Sequence, residues 1–398
     1  MSTIVKAADA AGFLSLVPRM LGYAPSRSVV LVPFGGSRSL GALRFDLPAD
    51  GEEVDAFAAT AVGMVCRLPD ADAVAAVVYT DALFEGQRMP HPGLFSALER
   101  RADASGLRLT DALCVAADGW GSRFDTALPA GGRPLDALDG VPPGAEGIAV
   151  AEGDQASGAE LPDAGLVETE RVGRALIAFS RAVDVVCGGD GGAGGAGGGS
   201  AGGAGAEGED EASAAPDHDR VDPRALSAVC ALDDLPGLFE ESLDWTPEEL
   251  APYDAATLLW ALARPSLRDV ALVQWSGTFD DGDDALEAQL RWESGEEYPM
   301  RLAMRMWGEG EQPDPDRLER ALALVRWVAA LAPRSWRPGA LAMCAWLSWA
   351  LGRSTHADAY ARSALEIEPE HGLSEIMLGF VQAGHLPDWA FRRPGSKR

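Results

Sequence analysis

The chain has 398 residues, is 47% hydrophobic and carries a formal net charge of −28, from 61 acidic and 33 basic residues. That field repels phosphate backbones, and no dense Lys/Arg stripe offsets it, which argues against nucleic acid as a partner. No run of about 18 apolar residues exists and the N-terminus MSTIVKAADAAGF lacks a basic region leading into an apolar stretch, so neither a membrane span nor a secretory signal is expected.

The length suggests two domains. Five cysteines, Cys66, Cys114, Cys187, Cys230 and Cys344, are scattered with no C-x-x-C pair. Zinc-knuckle and dithiol motifs are therefore absent, and the set fits a reducing cytoplasm with buried free thiols.

In chain order, residues 28–34 read as a strand. Gly36 and Gly41 then stand at phosphate-loop spacing, but Ala42 and Leu43 occupy the places of the Lys and Ser/Thr that carry the chemistry. The alternation through 40–47 has a period of two, so the stretch reads as a β-hairpin with a Gly-Gly-Ser-Arg turn and no nucleotide. Residues 52–68 carry apolar side chains at helical spacing, with Asp50 at the cap position. AVAAVVY, residues 73–79, reads as a buried strand. A helix follows over 94–104, then strands over 110–117 and 120–124 joined by an Asp118-Gly119 turn. Residues 131–160 are loop-like, and 164–186 read as a helix. Strands alternating with helices imply an α/β or α+β layer fold.

From Gly188 to Asp219 the chain is Gly-rich and acidic, with no large apolar residue, and is expected to be a flexible linker. Of 11 tryptophans, ten lie after it. Helices are expected over 221–232, 247–262, 267–275, 285–292, 314–331, 338–351, 355–367 and 373–383. The run Asp280-Asp281-Gly282-Asp283-Asp284 lacks the alternating ligands of a calcium loop and reads as a solvated turn. Setting Pro338 as the first position of a 34-residue tetratricopeptide-type repeat places Ala345, Ala357 and Ala364 where two helices approach closely. Gly352 then falls in the turn and Pro369 after the second helix. Leu341 and Ala361 depart from the pattern, which supports one helical hairpin plus half of another. The expected fold is thus α+β: a mixed α/β layer domain over 1–187, a linker over 188–220, and an all-α domain over 221–398 with a tetratricopeptide-like helical hairpin.

Several segments resemble a known family. LVPRMLGYAPSRSVVLVPF, RFDLP, VVYTD and DALCVAADGWGS look like the first half of the actinobacterial domain of unknown function 4192, and WRPGALAMCAWLSWALGRSTHADAYARSALEIEPEHGLSEIMLGFVQAGHLPDW looks like its C-terminal half. The family often carries paired cysteines after its Trp-Ser strand. Here the matching region is FDTALPAGGRP, without cysteine, so no role of those cysteines carries over. The resemblance implies membership and no activity.

The sharpest polar constellation is Arg44, Asp46, Tyr79 and Asp81, with Thr80 beside them, because both carboxylates follow apolar strand segments and ligands bind at the carboxyl ends of strands in open α/β sheets. The same aspartates also suit turn-forming or helix-capping roles. No G-x-S-x-G elbow and no H-E-x-x-H motif is present, and His91, His356 and His371 stand apart from one another. No metal site and no cofactor is expected. Trp327, Trp336, Trp346 and Trp349 serve either as core filling or as anchors for a partner, with core the simpler reading. The leading expectation is a cytoplasmic, non-catalytic protein whose helical half binds another protein or its own copy. The alternative is an enzyme or small-ligand binder using Arg44, Asp46 and Asp81 at a strand edge.

Overall fold

The computed structural model describes residues 7, 9–49, 53–188 and 221–392. The expected linker and the Asp50 cap lie outside the described residues. The chain divides into two compact units, one running to Gly158 and taking in Phe391 and Arg392, the other spanning Ala159–Ala390.

The first unit opens with α1, Ala10–Leu21, a helix not among those expected from the sequence. Asp9 caps it by accepting from the Gly12 amide, and Gly22 ends it with φ 84°. β1, Ser28–Gly35, turns at Gly36 and returns as β2, Arg38–Ser39, and β3, Leu43–Asp46. The expected hairpin is present, with its return strand interrupted over 40–42. The Gly36 amide donates to the Asp72 carboxylate at 3.1 Å, so the turn already satisfies the donor that a phosphate loop would present. α2, Val54–Cys66, β4, Ala73–Tyr79, α3, Pro92–Ala104, β5, Arg108–Val115, and β6, Trp120–Ser122, follow.

The sheet order is β2-β1-β4-β5-β6, with β3 also on β1. β4 and β5 are parallel, and all other pairings are antiparallel. Every residue of β4 is buried, as expected for a central strand covered on both faces. Strand alternation then fills two cores. Val29, Leu31, Val74, Ala76, Val78 and Cys114 meet side chains of α2 and α3 on one face. Val30, Val32, Ala75, Val77, Tyr79 and Leu113 meet Leu14 and Val17 of α1 on the other.

The second unit begins with α4, Leu166–Val186. Its buried face, Val172, Ala175, Leu176, Phe179 and Ala182, shares one core with the helices that follow, so the boundary expected at 187 falls at 158. A helix belongs to the unit that covers its apolar stripe, and the low-complexity segment after it does not mark that unit's edge. Then come α5, Pro223–Cys230, α6, Leu235–Ser242, α7, Pro252–Leu262, α8, Pro265–Ser276, α9, Phe279–Glu293, and α10, Met300–Met306. The Asp280–Asp284 run lies in the first turns of α9, not in a solvated turn. Thr278 and Asp281 form a capping box, and carboxylates at a helix N-terminus meet the positive end of its dipole.

α11, Pro315–Leu331, α12, Arg337–Ala350, α13, Ser354–Leu365, and α14, Gly372–Gln382, complete the unit. α12 and α13 form the expected hairpin, closed at Gly352 with φ 80°. The Gly352 amide donates to Trp349 O and the Arg353 amide to Ser348 O, the paired bonds that satisfy the last carbonyls of a helix. Ala345, Ala357 and Ala364 are fully buried, and α14 packs on both partners. No helix among the described residues is long and apolar enough to cross a membrane.

Candidate functional site

β3 and β4 both run antiparallel to β1, so their carboxyl ends share one sheet edge. Asp46 and Tyr79 each stand opposite Ser28, on the two strands flanking it. That places β3 and β4 two strand spacings apart, about 9–10 Å. Arg44 is buried along its side chain, donates through Nε to Ser28 Oγ at 2.8 Å and pairs with Asp46 at 2.5 Å. Asp81 is exposed and faces Arg27 at 3.9 Å. Tyr79 turns into the α1-side core. Its hydroxyl is buried with no hydrogen-bond partner among the described residues, and burial pushes its pKa well above the usual phenol range. The four residues named from sequence thus share an edge, where Arg44 and Asp46 pair with each other, Asp81 faces Arg27 instead, and Tyr79 is a buried phenol. Thr80 Oγ1 lies 2.9 Å from His91 Nε2, where His91 precedes α3 in a left-handed conformation.

A cavity of about 260 Å³ lies in the same unit, lined by Arg88, Met89, Ser122, Arg123 and Asp125 among others. Its acid is engaged: the Arg133 guanidinium donates to Asp125 at 2.6 Å and holds its carboxyl below the usual range.

The larger concavity, about 480 Å³, is in the helical unit. α14 supplies Leu373, Ile376, Met377 and Phe380, spaced so that one helical face forms a wall. α8 contributes Asp269 near its start, α9 ends in Trp292 and Glu293, and Tyr298, Met306 and Trp307 complete the lining from α10 and its flanks. Trp307 packs on Phe380 with ring centroids 5.2 Å apart, and Phe380 in turn packs on buried Trp349 at 5.1 Å. The lining contains no Lys or Arg.

Two classes of tryptophan separate here. Trp346, Trp349 and Trp389 are buried and donate their indole N–H groups to Met306 O, His385 O and Ala350 O. Trp292 and Trp307 are 56% and 50% exposed, and their indoles make no hydrogen bond among the described residues. Ile376 beside them is 45% exposed. Trp327 and Trp336 are partly buried against the core, as the simpler reading expected. Residue type could not sort the exposed rings from the buried ones; only the excess of tryptophan in this half pointed to a surplus.

Charge in the groove is uneven. Asp269 pairs with the buried Arg268 at 2.9 Å. Burial raises its carboxyl pKa, and Arg268 pulls the other way. Burial, then the Asp269 charge, raises the Tyr298 phenol. His371 caps α14, with Nδ1 2.9 Å from Ser374 Oγ, and burial followed by the Arg268 charge lowers its pKa.

All five cysteines are free. Cys114 and Cys344 are buried, while Cys66, Cys187 and Cys230 are exposed, against the expectation that all would be buried. Dispersed single cysteines carry no burial information of their own, since each follows the face of its helix or strand. No group of three or more His, Cys, Asp or Glu among the described residues is arranged to hold a metal.

Comparison with curated proteins and with solved structures gave no match. The model of one family matches residues 11–388. Spanning nearly all of the chain, that match means the protein belongs to the family described as Domain of unknown function (DUF4192).

Proposed function

We propose that this protein is a non-catalytic interaction protein of the cytoplasm, whose helical unit takes an apolar segment of another protein into the groove between α14, α10 and the end of α9. The observation that carries this reading is the exposure of Trp292, Trp307 and Ile376 around a concavity of about 480 Å³. Aromatic side chains at the mouth of an apolar depression are the usual anchors of protein recognition. Buried tryptophans elsewhere in the unit satisfy their N–H groups internally, whereas the indoles of the exposed pair make no hydrogen bond among the described residues and only Trp307 leans on the core, at Phe380.

The strand-edge alternative asks for convergent polar groups in a concave site. Arg44, Asp46, Tyr79 and Asp81 are instead engaged pairwise or buried, which favours the groove.

The test is quantitative capture by the full chain and by a Trp292→Ala/Trp307→Ala variant, followed by binding of the purified captured protein. The expectation is that the double variant loses the partner while keeping its helical circular dichroism, with a modest loss of stability where Trp307 packs on Phe380. A partner bound equally by both proteins would overturn the groove as the docking site.

A further inference from the structure

Resting on the groove reading, we infer that the occupant is a basic amphipathic helix: apolar anchors at i, i+3, i+4 and i+7, with Lys or Arg on the flanking positions. The shape argument comes from α14. Leu373, Met377 and Phe380 are buried in the core and floor the groove, Ile376 is exposed beside Trp292 and Trp307, and α14 ends a stack in which each helix from α11 onward packs on the next. Three exposed apolar side chains over an apolar floor, at the open end of a helical stack, suit the apolar face of one more helix, the mode in which an amphipathic helix lays its apolar face into a groove.

The charge argument comes from the rim. Glu293 lines the groove, Glu296 and Glu297 immediately precede its Tyr298, and Glu309 follows Trp307 by two residues. All four glutamates are exposed, and none enters an ion pair among the described residues. Asp269, the other acid of the lining, is already matched by Arg268. The groove therefore offers unmatched negative charge beside the half-exposed side chains of Trp292 and Trp307. A guanidinium or ammonium head seated there gains from both the carboxylates and the ring quadrupoles. The fold uses the same contact internally, with the Arg264 guanidinium 3.3 Å from the centre of the Trp260 ring. An acidic helix with the same anchors meets repulsion at every one of these positions.

The probe is a matched pair of synthetic helical peptides of about 18 residues, identical in their Leu anchors and bearing either Lys or Glu on the flanking positions. Binding to the full chain is read by fluorescence anisotropy. The Lys peptide should bind about tenfold more tightly than the Glu peptide at low salt. That preference should shrink towards parity at about 1 M salt, where the screening length falls to about 3 Å. Glu293→Gln/Glu296→Gln/Glu297→Gln should abolish the preference while leaving affinity for the Glu peptide unchanged or higher. The same number of neutralisations in the other unit, Asp136→Asn/Asp139→Asn/Glu152→Gln, should leave the preference intact, which separates the groove from the overall charge of −28. If both peptides bind equally well and lose binding in Trp292→Ala/Trp307→Ala, the charge inference falls and the groove stands. If neither peptide binds, the groove reading falls with it. Loss of preference in the distant triple variant would also overturn the inference.

Discussion

In the first unit one sheet separates two cores, and β4 feeds both of them by simple alternation of its side chains. In the second unit a single core runs from α4 to α14 and past it to Trp389. The sheet unit holds one tryptophan, Trp120, and spends it on packing with its indole N–H donated to Pro134 O at 3.0 Å. The helical unit holds ten, more than its interior uses. A sheet core is limited by its two faces, and large rings fit it only at the margins. Helices meeting at varied angles leave irregular gaps that indoles fill, and helix ends then carry further rings to the surface. The difference leaves exposed aromatic rings in the helical unit, where the recognition proposed above would act, and pairwise polar structure at the sheet edge.

The largest expected effect tests the claim that Trp346 is core. Trp346→Ala removes a fully buried ring and its bond to Met306 O. It should cost about 3–5 kcal/mol. Tryptophan fluorescence reports the helical unit almost alone, so urea titration of the full chain reads this loss directly. A midpoint unchanged from the parent would mean the ring is not part of the packing. The corresponding change at the groove, Trp292→Ala, should leave stability within about 0.5 kcal/mol, because an exposed ring away from packing contributes little.

Next in size is a pair of glycines in the α12–α13 hairpin. A Cβ at Gly339 would meet Leu262 O at 2.3 Å, where α12 lies against the end of α7. Gly339→Ala should therefore destabilise by about 1–3 kcal/mol through overpacking, although alanine is the better helix former by about 1 kcal/mol. Gly352 has open space around its would-be Cβ but a φ of 80°. Gly352→Ala should cost only about 1 kcal/mol, all of it conformational. Thermal melts of the two variants separate close approach from backbone strain. Equal losses would mean that α12 and α7 can spread apart.

These effects also show what the sequence could and could not disclose. AVAAVVY was legible as a strand because an unbroken apolar run flanked by turns suits a strand buried on both faces. The α12–α13 hairpin was legible because small residues and a glycine fell at fixed offsets. α1 was missed because Pro18 sits inside it and alanines dilute its stripe, although Asp9 and Gly22 mark both ends. α10 is seven residues long, too short for periodicity to register. The acidic run opening α9 looked like a turn because composition does not reveal that Thr278 caps it. The groove was not legible at all. Its walls come from residues 265 to 380 on four helices and a loop, and only packing brings them together. The shared edge of β3 and β4 follows from strand pairing that no local pattern specifies.

A third prediction uses pH. His371 is neutral and buried at the start of α14, with its folded pKa held below the free value of 6.5 by burial and by Arg268, and only partly restored by Glu368. Above about pH 6.5 the residue is neutral in both folded and unfolded chains and contributes no slope. Below that value the unfolded chain takes up a proton that the folded chain resists. Stability contributed by this site therefore falls as pH drops, down to the folded pKa. His371→Asn keeps a capping side chain and removes the titration. Between pH 7 and pH 5 its unfolding midpoint should fall less than that of the parent. Parallel pH profiles would show that His371 is not held neutral by its surroundings.

The smallest effects belong to the sheet edge, and they sharpen the contrast with the groove. Asp81 and Arg27 are both exposed and 3.9 Å apart. Exposed pairs of this kind contribute about 0–1 kcal/mol because solvent screens them and two long side chains must be held still. Asp81→Asn should accordingly shift the melting temperature by no more than the measurement error. Asp46 differs in one respect: its partner Arg44 is buried along its side chain and also anchored to Ser28 Oγ. Asp46→Asn removes the charged partner from a guanidinium that cannot turn out to solvent without leaving that serine. Its cost should be about 1 kcal/mol, larger than that of Asp81→Asn and still well below that of Trp346→Ala. Urea titration of the two single variants, followed by backbone circular dichroism, reads both losses. If Asp81→Asn proved as costly as Asp46→Asn, the two carboxylates would be acting together, and the sheet edge would regain its claim to be a site.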